Sequence, residues 1–118
     1  MDTLERNLLW LGIEDYTGLW DAVAEARGDG EPRSTHDALV QARRAIEFML
    51  AADFAELFRC PEPLNNDTVE LVSAEEQSAI LNAGSSWVVP EEGGTSIRFA
   101  TTDRGFAAYQ KETGWPAD

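Results

Sequence analysis

Between Cys60 and Ile97 the chain carries seven carboxylates and not one Lys or Arg, so whatever this stretch forms must draw its counter-charges from elsewhere or stay solvated. On one side lies Leu39 to Arg59, where the apolar spacing changes from helical to strand-like. On the other lies Ile97 to Gln110, where the order is reversed. The acidic stretch is therefore expected to be a long excursion joining two halves of one unit. A chain of 118 residues holds one hydrophobic core and not two, so a single domain over residues 1–118 is expected. With 43% apolar residues and four Trp, the chain is too hydrophobic for a disordered tail, although 22 Asp plus Glu against nine Lys plus Arg leave a net charge of −13. That charge favours encounters with basic partners over nucleic acid or an anionic membrane.

The lone Cys60 cannot staple the fold, which points to a reducing, cytoplasmic setting. Met1-Asp2-Thr3-Leu4-Glu5 lacks the basic-then-apolar order of a signal peptide. No run approaches the ~20 apolar residues that cross a bilayer.

Along the chain, Leu4, Leu8 and Leu11 predict a first helix capped at Asp2 or Thr3 and ended by Gly12. Tyr16, Leu19, Trp20 and Val23 predict a second from Glu14 to Arg27, stopped at Gly28 and followed by an Asp29-Gly30-Glu31-Pro32 loop. Ser34 and Asp37 predict the start of the longest helix near Thr35, with a buried stripe of Leu39, Ala42, Ile46, Met49 and Leu50. Phe54 to Arg59 reads as a strand ended by Pro61 and Pro63, and Leu64 to Val72 as mostly irregular. Ser73 and Glu76 form a capping-box pair before a short helix that stops at Asn82-Ala83-Gly84. Trp87-Val88-Val89 and Ile97 to Ala100 are expected to pair as a hairpin, and Thr102 to cap a last helix carrying Phe106 and Tyr109, closed by Gly114 and Pro116.

Two short motifs carry a family likeness. Asp53-Phe54-Ala55-Glu56 has the turn-former, two apolar residues and polar residue that follow a long helix, and Thr101-Thr102-Asp103-Arg104-Gly105 has the strand end that opens a terminal helix. Over about half the chain this order resembles winged-helix domains of bacterial regulators. The resemblance implies an α+β fold in which helices pack on a small antiparallel sheet of two to three strands with a long wing insertion. It also implies, as an alternative function, a DNA-binding regulator in which an oligomer would concentrate Arg33, Arg43 and Arg44 on one face for contact with nucleic acid. The chain departs from the family in charge: Asp37 and Glu47 oppose Arg43 and Arg44, and the wing offers no base at all, whereas phosphate binding needs several.

Enzymatic chemistry finds little to build on. His36 and Cys60 are the only residues of their kinds, one at a helix start and the other at a strand end, with no third partner. The adjacent pairs Glu14-Asp15, Glu75-Glu76 and Glu91-Glu92 point apart if helical and do not clasp one metal ion. No zinc spacing, calcium loop, phosphate-cradling loop or nucleophile elbow occurs, so no cofactor is implied. The expectation is a non-enzymatic interaction domain, of the immunity or adaptor kind, that engages a basic protein. Glu62, Asp67, Glu70, Glu91 and Glu92 would steer the partner, and Trp87 or its neighbours would supply the apolar anchor.

Overall fold

A computed structural model describes residues 1–28 and 34–115. The loop expected at residues 29–32, Arg33 and Pro116 lie outside the described residues. The first helix, α1 (Thr3–Glu14), opens with a complete capping box: the Glu5 amide donates to Asp2 and the Asp2 amide to Glu5, each at 2.8 Å. Gly12 does not end it. The helix runs on to Glu14, and the missing side chain lets α1 lie against the sheet, since a Cβ there would come within 2.6 Å of Thr101 Oγ1.

The second helix begins later than its pattern suggests. Thr17–Gly18 forms a two-residue strand, β1, and α2 occupies only Leu19–Arg27. Tertiary partners win here: Thr17 Oγ1 donates to the Leu11 carbonyl at 2.9 Å, the Arg98 guanidinium donates to the Tyr16 carbonyl at 3.2 Å, and Thr17 and Gly18 pair with Phe99 and Arg98. α3 (Thr35–Ala51) starts as expected, with Ser34 Oγ accepting from the Asp37 amide at 3.1 Å. Its buried face is Ala38, Ala42, Ala45, Ile46 and Met49, while Leu39 and Leu50 flank the core only half-buried. Three alanines on that face let α2 pack closely against α3.

The remaining elements are β2 (Ala55–Pro61), β3 (Glu70–Leu71), α4 (Ala74–Asn82), β4 (Thr95–Thr101) and α5 (Asp103–Thr113). Among the described residues the architecture is α+β, with five helices against one antiparallel sheet of order β1-β4-β2-β3. Among the described residues four strands form where two or three were expected, because β1 and β3 are two residues each, too short to carry a period. The expected Trp87–Val89 hairpin is not formed. Trp87 closes a 3₁₀ turn, Gly84–Trp87, packed on α2, and β4 pairs with β2 along seven residues. Ser73 precedes α4, yet its side chain makes no cap bond to the helix backbone; it donates to Glu76 at 3.3 Å while the other Glu76 oxygen accepts from Arg59.

Phe99, Leu57, Leu8, Leu9, Leu19, Ile46 and Met49 are fully buried between the helices and the inner face of the sheet. Where α3 leads into β2, Asp53 takes a left-handed φ of 61°, a conformation Asp tolerates better than most residues. Thr102 ties that corner to the start of α5: its amide donates to the Phe54 carbonyl at 2.9 Å and its hydroxyl to the Asp53 carbonyl at 2.7 Å. α5 in turn packs on α1, where Trp10 stacks on Tyr109 at 5.7 Å and meets Trp115 edge-on at 5.4 Å.

Candidate functional site: an acidic groove on the outer sheet face

Because strand side chains alternate, the inward pair Leu57 and Phe99 sends its neighbours Phe58 and Arg98 to the outer face. Tyr16 packs edge-on against Phe58 at 5.1 Å, and the Arg98 guanidinium lies over the Trp20 ring at 5.0 Å. Trp20, on the stripe expected to face the core, is thus half-buried beneath a cation. Arg98 engages three partners, one through each guanidinium nitrogen: Glu62 at 2.8 Å, the Tyr16 carbonyl at 3.2 Å and Ser96 Oγ at 3.2 Å. Its side chain and that of Glu62 are only 16% and 15% exposed. The Arg98 hydrogen bond, joined by Ser96, holds the Glu62 carboxyl below the ordinary carboxylate range.

Around this pair the surface opens into a groove of about 870 Å³, lined by Asp15 on one lip and by Glu62, Pro63, Leu64, Asn65 and Asp67 on the other. A second groove of about 590 Å³ shares Asp15 and continues past Glu14, Asp21 and Glu25, with Arg98 the only cation in its lining among the described residues. Among the described residues the two together form an anionic surface whose single base is already committed to Glu62.

The acids expected from the sequence do not all meet here. Glu62 and Asp67 line the groove. Glu91 and Glu92 are exposed in the turn that follows Pro90, and two backbone bonds fasten that turn beside Glu62: Glu62 N–H to Gly94 O at 3.0 Å and Gly93 N–H to Glu62 O at 2.9 Å. Glu70 sits on β3, where Arg59 reaches it at 3.4 Å and Glu76 at 2.6 Å. The Arg59 hydrogen bond holds Glu76 below its ordinary range. So Glu62, Glu70 and Glu76 do gain counter-cations, from Arg98 and Arg59 on the flanking strands.

Trp87 is a correction. It is 7% exposed, and its indole N–H donates to the Leu81 carbonyl at 3.0 Å, so it belongs to the core and cannot serve as a surface anchor. Its neighbours Val88 and Val89, 58% and 71% exposed, are the apolar groups that stand out beside the acidic turn.

Among the bases considered for nucleic acid, Arg43 is bound to Glu47 at 2.6 Å and to Asn82, Arg44 stands exposed, and Arg33 lies outside the described residues. His36 is exposed at the start of α3, whereas Cys60 is fully buried, and burial pushes its thiol up against the partly opposing charge of Arg98. Among the described residues no group of three or more His, Cys, Asp or Glu is placed to hold a metal ion. No described helix is long and apolar enough to cross a membrane.

Sequence reasoning missed Asp15, Tyr16 and Arg98. Arg98 had left a signal, a lone charge inside the apolar run Ile97 to Ala100, which marks a strand with one face outside the core. Asp15 left none, because a helical reading of residues 14–27 conceals the turn that brings it to the groove. Compared with protein-family models, with curated proteins and with solved structures, the chain matches none.

Proposed function

We propose that this domain is a non-enzymatic interaction module that receives a basic protein surface in its acidic groove, in the manner of an immunity or adaptor protein. The observation that carries this reading is the convergence of Asp15, Glu62 and Asp67 on one open groove, extended by Glu14, Asp21 and Glu25, in which the only lining cation among the described residues is tied to Glu62. The Glu91-Glu92 turn beside Glu62 would widen the attractive field, and Val88 and Val89 supply exposed apolar contact. Long-range attraction from such a face raises the encounter rate, and the apolar contacts slow release.

The order of α3, β2, β4 and α5, with β4 returning antiparallel to β2 and Thr102 opening the last helix, supports a winged-helix reading of that half of the chain. It does not favour DNA as the ligand. The exposed face of α3 carries Val40, Arg44 and Phe48 with Asp37 and Glu47 near them, too few free bases to neutralise a phosphate backbone.

The test is kinetic. Proteins captured on the immobilised domain are identified, and association is followed for wild type and for Asp15→Lys with Asp67→Lys. The double variant should lower the association rate about tenfold and flatten its salt dependence. An unchanged rate, or steeply salt-dependent binding of duplex DNA by wild type, would count against the reading.

A further inference from the structure

α3 has a second face that no element of the described fold covers. Opposite its buried alanines, Val40, Arg44 and Phe48 follow one another at four-residue steps and are all exposed, Val40 at 36% and Phe48 at 40%. Four-residue steps form a single ridge on a helix. Phe48 is steadied from one side by Phe54, edge-on at 5.9 Å, and keeps its other side open. Arg44 has no hydrogen-bond or ion-pair partner among the described residues, whereas the adjacent Arg43 has two.

Two properties of this ridge say what covers it. One is its symmetry: the apolar residues stand four positions to either side of Arg44. In an antiparallel pair of α3 helices centred on Arg44, Val40 of each copy lies beside Phe48 of the other. Glu47 of the second copy is then displaced by about 4.5 Å along the axis from Arg44, within reach of its guanidinium. A crossing angle near −50°, at which ridges of four-residue steps interdigitate, seats such a pair. The other is charge. α3 contains Asp37 and Glu47 against Arg43 and Arg44, so it is electrically neutral on a chain of net charge −13. Two copies can bring this face together without pressing their acidic grooves on each other.

We infer that α3 is a homodimer interface, in which a second copy packs antiparallel through Val40 and Phe48 and each Arg44 pairs with Glu47 of the other copy. The contact is two-fold and self-complementary, so it closes at two copies. One helix face buries less than the ~1,200 Å² typical of stable complexes, so the dimer is weak and concentration-dependent. Its response to salt is opposite to that of the acidic groove: screening the repulsion between two chains of −13 strengthens self-association and weakens capture of a basic partner.

Sedimentation equilibrium of the full chain, from micromolar to millimolar at low and high salt, tests it. The mass of wild type should climb toward two copies, and further at high salt. Phe48→Glu should weaken association about tenfold or more. Arg44→Glu alone and Glu47→Arg alone should each remain monomeric, while an equimolar mixture of the two dimerises, because every cross-pair is then of opposite sign. Circular dichroism confirms that each variant is folded. A monomer at every concentration, or a dimer indifferent to both charge reversals, overturns the inference. Neither result bears on whether the groove binds a basic protein.

Discussion

The β2–β4 ladder has two ends of opposite character. At the Ala55–Thr101 end, the corner from α3 into β2 and the corner from β4 into α5 interlock. Thr102 bonds to both Asp53 and Phe54, and Gly105 lies so close that a Cβ would overlap the Phe54 carbonyl oxygen. At the Pro61–Thr95 end, the strands continue into only two backbone bonds between Glu62 and the Glu91–Gly94 turn, and beyond them the acidic groove opens. Stability is concentrated where helices enter and leave the sheet; at the far end the side chains are free to be chosen for contact.

The largest effect should come from breaking the interlocked end. Gly105→Ala places a methyl against the Phe54 carbonyl and within 2.8 Å of Thr101 Cγ2, backbone and packed side chain that cannot both give way. Overpacking of this kind costs about 3 kcal/mol. Urea unfolding should show the loss as a lower midpoint with an unchanged slope. A loss below ~1 kcal/mol would mean that the two corners move apart easily, and the contrast between the ends would disappear.

Next in size is the Arg98–Glu62 pair, the one strongly held feature of the open end. Arg98→Ala should cost about 2 kcal/mol, since it strips partners from Glu62 and the Tyr16 carbonyl and uncovers Trp20. Arg59→Ala removes a more exposed pair of contacts and should cost less. The pH dependence isolates Glu62. Its carboxyl is held below the ordinary range in the folded state, so its contribution is complete above the unfolded-state pKa and is lost as pH falls through the lower folded value. The stability difference between wild type and Glu62→Gln should therefore be full near neutrality and shrink through the acid range, where Glu62 itself becomes neutral. Comparing the two proteins at each pH cancels the background from the other carboxylates. A difference that stays constant with pH would show that Arg98 does not depress Glu62.

Several helix boundaries were legible in the sequence and the open end was not, for physical reasons. Ser34, Thr102, Gly28 and Gly114 act through bonds or backbone angles set within a few residues, so the boundaries they mark are seen where they were expected. Asp53, in the turn-former position, adopts the left-handed angle that the position implied. At the open end the deciding contacts join residues far apart in the chain: Arg98 with Glu62, Arg98 with the Tyr16 carbonyl, and Arg59 with Glu76. Local spacing carries no information about such partners. The same holds for β1 and β3, whose pairing is settled by the strands beside them, and for Trp87, whose burial follows from the Leu81 carbonyl and α2.

A smaller change of opposite sign sharpens the view of the interlocked end. Asp53→Gly removes the steric cost of a side chain at φ 61° while adding freedom to the unfolded chain, so the net gain should be about 0.5 kcal/mol. A loss on thermal or urea unfolding would mean that the Asp53 side chain holds the corner through more than its backbone angle.

The smallest effect should come from the groove itself. Asp15 and Asp67 are exposed and belong to none of the ion pairs described; Asp67→Lys removes no side-chain bond among the described residues, and Asp15→Lys gives up one exposed bond, accepted from the Tyr16 amide at 2.7 Å, that water replaces. Each replaces a negative with a positive charge on a chain of −13, which eases self-repulsion. Stability should therefore hold within ~0.5 kcal/mol, with any shift a slight rise that fades at high salt. A pronounced destabilisation by either reversal would place these carboxylates in the scaffold, and the division of labour between the two ends of the ladder would then be wrong. If stability holds while association with a basic partner slows, the same two residues are shown to be expendable for folding and needed for contact.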